Sequence, residues 1–173
     1  MAISGEKVKN FTKKLEQTES LSEIFELVKE VVKDIMGKER TGLMVGLAEL
    51  GGRPGVFIGA FYPVGSNLIV MNKTPLRVVE ATKPKLFKSY CFHILLHEYL
   101  HTIGILDERY AHGIAYVISA KTFGENHPTS LIAKDFNRIF PEVMYASLDW
   151  QPNNQLEIEL VKDIESENIR YIG

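Results

Sequence analysis

The sequence predicts a single α+β domain with a small, mainly antiparallel or mixed sheet, one long motif-bearing helix and further packing helices. Three observations predict this class. Apolar residues recur at helical spacing in the first third of the chain, short apolar runs separated by turn residues fill residues 41–72, and a long apolar-rich segment covers residues 84–104. The 173 residues suit one domain. We expect residues 1–104 to supply the first helices, the sheet and the motif helix, and residues 105–173 to form a mainly helical part.

The composition resembles that of ordinary globular proteins and argues against several classes of function. The chain is 45% hydrophobic and 24% charged, with a net charge of −2 and a pI near 6.2. Lysines and arginines are dispersed without a basic run, so we expect no nucleic-acid partner. The single cysteine, Cys91, excludes an intramolecular disulfide and a cysteine-built zinc site.

We expect no segment that directs the protein to a membrane or out of the cell. The start, MAISGEKVKN, lacks the apolar core of a signal peptide, and no apolar run approaches the length that crosses a bilayer. We therefore expect a cytoplasmic protein with no membrane partner. The sequence leaves the oligomeric state open.

Two amphipathic helices are predicted at the N-terminus. Ser20 and Glu23 have the spacing of a capping box at the start of the second helix, and Gly37 is placed to end it. The apolar residues that define the helices recur at helical spacing. They are Val8, Phe11 and Leu15 in the first helix, and Ile24, Leu27, Val28, Val31 and Ile35 in the second. We interpret both stripes as core.

Residues 41–72 are predicted to form a small meandering sheet. They contain three short apolar runs, TGLMVGLAEL, GVFIGAFYPV and NLIVMN, separated by the turn sequences GGRP and PVGS. After Trp150, the sequence QLEIELV alternates like a strand, while the charged residues that follow would suit a helix equally well. The fold of this tail is left open.

Three helices are predicted between the sheet and the tail. Pro84 suits the first turn of the long helix, and Gly104 is placed to terminate it. A second helix is expected at about 108–123, and a third from Pro128 until Pro141 stops it. The apolar residues of the last two helices are Ala111, Ile114, Ala115 and Ile118, and Ile132, Phe136, Ile139 and Phe140.

The long helix carries a pattern that is typical of a metal site. His97 and His101 stand four residues apart, so a helix places them on one face, one turn from each other. Glu98 follows the first histidine and can lie beside the metal's open position without binding it. From there it can take a proton from an activated water. The pattern predicts a catalytic zinc site, in which Glu98 is the catalytic base.

A catalytic zinc site needs a third protein ligand from beyond this helix. Gly104 can adopt a left-handed conformation that turns the chain sharply, and Asp107 can then return its carboxylate to the metal. His112 or Glu108 could take that place instead, and Glu125 is a further alternative on a later segment. With this chain's composition, His-Glu-x-x-His arises by chance in about one sequence in 70, and the extended pattern, with Gly at 104 and Asp or His at 107, in roughly one in 16,000.

These residues resemble a known family. The stretch HEYLHTIGILD, residues 97–107, is similar to the zinc-binding consensus of the metzincin clan of metallopeptidases, in the variant whose third ligand is aspartate. The order of helix, small sheet and motif helix is also similar to a zincin-like N-terminal subdomain. The resemblance implies a zincin-like fold, Zn²⁺ as cofactor, His97, His101 and Asp107 as ligands, and a peptide or protein substrate.

The same resemblance implies two further features. An edge strand above the metal pairs with the extended substrate, and NLIVMN is the candidate. The family also has a methionine-containing turn below the metal, for which Met144 in PEVMYAS is the candidate. In that turn a serine commonly precedes the methionine by two residues and a tyrosine follows it by two. Here Glu142 stands at the serine position, and Tyr145 follows Met144 directly. With His112, Met144 and Tyr145 are candidates for supporting contacts to the metal site or to substrate.

The other candidate residues have structural interpretations. His93 extends the ladder of His97 and His101, but three ligands along one straight helix span about 12 Å, too far for one ion. We expect His93 to be a core histidine with a hydrogen-bond partner. His127 is interpreted as a solvated loop residue, and Cys91 as buried and inert.

Three functions fit these patterns. The first is a zinc metallopeptidase. The second is a zinc-dependent ribonuclease, since a bacterial rRNA-processing family has similar histidine spacing, although it has glycine at the place of Glu98 and histidine at that of Asp107. The third is a non-catalytic zinc-binding protein, but a purely structural site has no use for a base and more often closes with four ligands. The peptidase is the function that the sequence favours.

Overall fold

The computed structural model describes residues 5–152 and 155–161. Within these residues, two helices come first, five strands follow, and the remaining helices precede the last two strands. A short 3₁₀ turn, Pro84–Leu86, precedes the fourth helix. The elements of the described residues are α1 (Gly5–Gln17), α2 (Leu21–Met36), β1 (Met44–Ala48), β2 (Gly52–Arg53), β3 (Val56–Ile58), β4 (Ala60–Phe61), β5 (Leu68–Asn72), α3 (Lys73–Thr82), α4 (Phe87–Thr102), α5 (Glu108–Phe123), α6 (Pro128–Lys134), α7 (Phe136–Ile139), β6 (Val143–Met144) and β7 (Glu159–Val161).

The strands form two small mixed sheets. In the first, the order is β4-β5-β1-β7, with β1 parallel to β5 and the two outer strands antiparallel to their neighbours. In the second, β3 lies between β2, which is antiparallel to it, and β6, which is parallel. The predicted α+β class with a small mixed sheet is confirmed. The predicted meander is wrong, because β1 pairs with β5 in parallel and a parallel pair needs a crossover connection.

The run NLIVMN is not an edge strand, contrary to its prediction as the substrate-pairing edge. It forms β5, which pairs with β4 on one side and with β1 on the other, so its backbone is engaged along both edges. Ile69, Val70 and Met71 are all completely buried. A strand that is apolar at consecutive positions is typical of the interior of a sheet, covered on both faces.

The predicted helix ends in the N-terminal part are confirmed. Ser20 caps α2 by accepting a hydrogen bond from the Glu23 backbone N–H, and Gly37 ends the helix at φ 68°. The Glu23 carboxylate accepts in return from the backbone N–H of Glu19, one residue before the cap. Phe11 and Leu15 of α1 are buried, as expected for a core stripe.

The single helix predicted from Pro128 to Pro141 is wrong. It breaks at Asp135, whose φ of −145° and ψ of 61° leave the helical region, so that α6 and α7 are separate. Aspartate favours such breaks, because its carboxylate competes for backbone hydrogen bonds. In the resulting arrangement Phe136 and Phe140 both pack near Tyr90 of α4, at 6.3 and 5.1 Å between ring centroids.

Helix α4 lies at the centre of the fold. It contacts α1, α2, α3, α5 and α6 as well as β4 and β5, and Lys88 is its one residue that is not buried. Pro84 opens the 3₁₀ turn that leads into it, and Gly104, at φ 101°, turns the chain just beyond its end. Both predicted boundary residues are therefore confirmed in these roles.

The C-terminal part contributes α5, α6 and α7 and also one strand to each sheet. β7 pairs with β1, so the last three residues of QLEIELV form a strand, whereas residues 155–158 have no regular secondary structure. The charged residues after it, 162–173, lie outside the described residues. Within the part of the chain that the structure describes, no helix is both long and apolar enough to span a membrane.

Arg40 ties the end of the motif helix to the sheet. Its guanidinium donates hydrogen bonds to the Thr102 carbonyl at the end of α4, to the Ser66 carbonyl before β5 and to the Tyr62 hydroxyl. Its backbone N–H donates to the Tyr99 hydroxyl. Because the planar guanidinium donates to three acceptors at once, it fixes the position of α4 relative to β5.

We expect Arg40→Lys to lower the free energy of unfolding by about 1–3 kcal/mol, since one ammonium cannot reach acceptors arranged for the guanidinium fork. Urea denaturation measures the change. Arg77→Lys is the matched control: Arg77 makes an exposed ion pair with Glu49, and such pairs contribute less than about 1 kcal/mol. Equal losses in the two variants would contradict this role for Arg40.

Candidate metal centre

Two histidines and a glutamate of α4 lie together in the last two turns of the helix. His97, Glu98 and His101 are 0%, 4% and 2% exposed, and the two imidazole centroids are 4.7 Å apart. One ligand atom from each of the three residues lies within 4.8 Å of the others. The helix alone produces this proximity, as the spacing predicted.

Glu108, the first residue of α5, brings a second carboxylate to the histidine pair. Its Oε1 lies 2.8 Å from Nε2 of His101, and its Oε2 lies 3.2 Å from Nε2 of His97. The sharp turn at Gly104 reverses the chain between the two helices and makes this approach feasible. The third donor of the cluster is therefore supplied by the chain segment expected from the sequence.

His112 lies one turn further along α5, on the same face as Glu108. Its Nε2 is 3.8 Å from Oε2 of Glu108, and its ring centroid is 5.0 Å from that of His97. His97, Glu108 and His112 form a second triad of ligand atoms within 4.8 Å of one another. The side chains of Glu108 and His112 are each 37% exposed, so the cluster reaches solvent on the α5 side.

The donor atoms of this cluster fit a metal ion. In the described residues, Nε2 of His97, Nε2 of His101 and Oε1 of Glu108 are buried and have no hydrogen-bond partner, so the short approaches among them are not aligned hydrogen bonds. Ligand atoms of a tetrahedral zinc ion lie about 3.4 Å apart, given zinc–ligand distances near 2.1 Å. The two oxygens of the Glu108 carboxylate lie 2.8 and 3.2 Å from Nε2 of His101 and of His97, so small shifts would bring the three side chains to that spacing. Buried polar atoms without partners are costly, and a shared cation would satisfy all three.

A hydrogen bond to the backbone fixes the tautomer of His101. Its Nδ1 lies 2.7 Å from the backbone carbonyl oxygen of Ile105, so Nδ1 carries the proton and donates it, which leaves Nε2 with a free lone pair. A backbone carbonyl behind a ligand histidine is a common arrangement in metal sites, because it orients the ring. Nε2 of His101 is thus free to act as a ligand.

The two carboxyl groups of the cluster differ in proton affinity. Burial raises the pKa of Glu98 to about 8. For Glu108, partial burial raises the pKa, but the imidazoles of His101 and His97 outweigh it and hold the pKa well below the usual range. Glu108 is therefore ionised, as a ligand must be, whereas Glu98 can hold a proton near neutral pH.

Asp107, predicted as the third ligand, belongs to neither triad. It is the N-cap of α5, and its Oδ1 accepts a hydrogen bond of 2.7 Å from the Tyr110 backbone N–H. The neighbouring Glu108 instead lies at the histidines. The sequence contained this signal: with the helix predicted to begin at about residue 108, aspartate at the preceding position is a preferred cap.

Met144 ends β6 and Tyr145 follows it, and their side chains face opposite ways. The Tyr145 ring centroid lies 4.4 Å from both His97 and His112, and its hydroxyl is 2.6 Å from Nε2 of His93. Burial raises the pKa of the Tyr145 hydroxyl well above its usual value, and the carboxylates of Glu98 and Glu108 raise it further. Met144 packs instead against a separate small apolar cluster beside the first sheet.

The remaining candidates have other surroundings. His93 is completely buried and bonded to Tyr145, which confirms it as a core histidine with a hydrogen-bond partner. His127 is half-buried and caps α6 through its ring nitrogen instead of being a solvated loop residue. Cys91 is buried, as expected. Glu125 is exposed beyond the far end of α5, about 25 Å along the helix from Glu108.

The chain matches no protein-family model, no curated protein and no solved structure. The chemistry of the cluster has to be interpreted from its own geometry.

We expect Asp107→Ala to lower the free energy of unfolding by about 1 kcal/mol, because it removes the acceptor for the Tyr110 N–H. Asp107→Asn retains a side-chain oxygen at the cap and should unfold like wild type. Thermal and urea unfolding measure both. Wild-type stability of Asp107→Ala would contradict the capping role.

Proposed function

We propose that the protein is a zinc-dependent metallopeptidase of zincin-like fold that hydrolyses peptide bonds. The observation that carries the proposal is the convergence of the Glu108 carboxylate on the unpartnered Nε2 atoms of His97 and His101. Two imidazoles and one carboxylate form a ligand set found in catalytic zinc sites, which leaves one position open. In this assignment Glu108, and not Asp107, is the third ligand.

A zinc ion held there would polarise the scissile carbonyl and acidify an attacking water. Glu98 is the general base: it lies beside the two ligand histidines on α4, and in the described residues no hydrogen bond or ion pair occupies its carboxylate. Burial raises the pKa of Glu98, so its ionised carboxylate is a stronger base than that of an exposed glutamate, and a proton that it accepts can pass to the leaving amine. In this assignment Glu108 binds the metal and Glu98 transfers the proton.

His112 and Tyr145 are the groups placed to face a substrate. His112 lies on the partly exposed side of the cluster, next to Glu108, where it can donate a hydrogen bond to a carbonyl oxygen. Tyr145 packs against the rings of His97 and His112. Neither is needed as a ligand in this assignment.

The surroundings of the cluster favour a short or unfolded peptide as substrate. His97, Glu98 and His101 are buried, and Glu108 and His112 are the members that reach solvent. A folded protein surface cannot reach so deep a centre without local unfolding. The single buried Cys91 suits the reducing conditions of the cytoplasm, where restricted access would also protect other proteins from cleavage.

The ligand assignment is tested by metal affinity. We expect wild type to bind about one zinc ion, and Glu108→Ala to weaken binding by more than about 100-fold, since lost ligands cost more than lost supporting contacts. Asp107→Asn is the matched control and should bind like wild type. Competition titration with a chromophoric chelator measures both. Loss of zinc from Asp107→Asn with retention in Glu108→Ala would reverse the assignment.

The catalytic assignment is tested by Glu98→Gln, which keeps the size of the side chain but removes the base. We expect kcat for cleavage of a peptide library to fall by about 10²- to 10⁴-fold, with zinc binding retained. Glu125→Gln, at the exposed glutamate beyond α5, should cleave like wild type. If wild-type protein binds zinc but cuts no peptide, unfolded protein or RNA, a non-catalytic zinc-binding protein is the better assignment.

A further inference from the structure

The two ligand histidines are oriented in different ways. His101 is held by its hydrogen bond to the Ile105 carbonyl. In the described residues, both ring nitrogens of His97 are buried without a hydrogen-bond partner. A ligand histidine normally donates its second N–H to a group that fixes the ring. His97 therefore needs another means of orientation.

Packing supplies that orientation. The Tyr145 ring lies against the His97 ring, with centroids 4.4 Å apart and planes tilted by 34°. The rings of His101 and His112 approach His97 with their planes at 83° and 65° to it. Of these three rings, that of Tyr145 is the nearest to parallel with the His97 ring.

Tyr145 is fixed in turn by His93, one turn before His97 on α4. The Tyr145 hydroxyl and Nε2 of His93 are 2.6 Å apart. Phe136 of α7 stacks on the His93 ring at 5.4 Å and packs against Tyr145 at 4.9 Å. The rings of Phe136, His93, Tyr145 and His97 thus form a continuous series of contacts that begins at α7.

We infer that His93 is a positioning residue for His97: its hydrogen bond to Tyr145 holds the phenol ring that packs on the His97 imidazole and orients it. His93 itself lies too far along the helix to bind the same ion. The inference rests on the proposed metal site but not on peptidase activity, so it can be tested by metal affinity alone.

The test measures the dissociation constants of zinc and cobalt(II) for His93→Leu, His93→Gln and Tyr145→Phe. We expect His93→Leu and Tyr145→Phe to weaken binding by about 10- to 100-fold, the usual cost of losing a contact behind a ligand. His93→Gln should bind close to wild type, because the glutamine amide can present a nitrogen or an oxygen to the phenol. The cobalt(II) absorption spectrum should change in the same two variants.

A purely structural role for His93 would change thermal stability and leave metal affinity and the cobalt spectrum unaltered. Tyr145→Phe preserves the ring, so it keeps the test valid if His93→Leu does not fold. In the Tyr145→Phe background, His93→Leu should cause no further loss of affinity. His127→Asn, a histidine replacement at the α6 cap that retains a capping side chain, is the control and should bind like wild type.

Two results would overturn the inference while leaving the proposed function intact. One is wild-type affinity in both His93→Leu and Tyr145→Phe. The other is equal weakening in His93→Leu and His93→Gln, because the hydrogen bond would then not be the cause. A wild-type protein that binds neither metal would contradict the proposed function itself, and this inference with it.

Discussion

The burial of α4 is the constraint on which the rest of the structure depends. A helix surrounded by five other helices and two strands buries three histidines and a glutamate, and each buried polar group left unsatisfied costs about 1–3 kcal/mol. The surrounding elements meet part of that requirement, while Nε2 of His97 and Nε2 of His101 stay without a hydrogen-bond partner in the described part of the chain. The loop after α4 supplies the Ile105 carbonyl, α5 supplies Glu108, and the segment after β6 supplies Tyr145. The polar cluster thus depends on how these elements close around α4.

The rigidity of this arrangement comes from outside the cluster. Arg40 fixes the end of α4 to the strand region by three side-chain hydrogen bonds, and β6 is held by its parallel pairing with β3. Side chains around β6 alternate between the main core and the smaller cluster: Val143 and Tyr145 face the helices, whereas Met144 and Ala146 face away. The alternation of a strand is what directs the Tyr145 ring at the histidines.

Much of the fold could be predicted from local patterns, and the failures concern strand pairing and one helix break. Helix periodicity and capping located α1, α2, α4 and α5, because these signals lie within a few residues of each other. The meander, the edge position of NLIVMN and the unbroken third helix were wrong. The first two concern strand pairing, which joins residues distant in sequence, and the third concerns a break at Asp135 that lets Phe136 and Phe140 both reach Tyr90.

The sequence by itself determined that His97, Glu98 and His101 lie together, because a helix fixes the relation of residues four apart whatever surrounds it. It also favoured a further donor from the turn after Gly104. The tertiary structure decided which carboxylate comes to the histidines. Asp107 and Glu108 are adjacent, but one caps α5 and the other begins it, so their side chains point in different directions. The tertiary structure also brought His93 and Tyr145 together across 52 positions of sequence, a contact that no local spacing encodes.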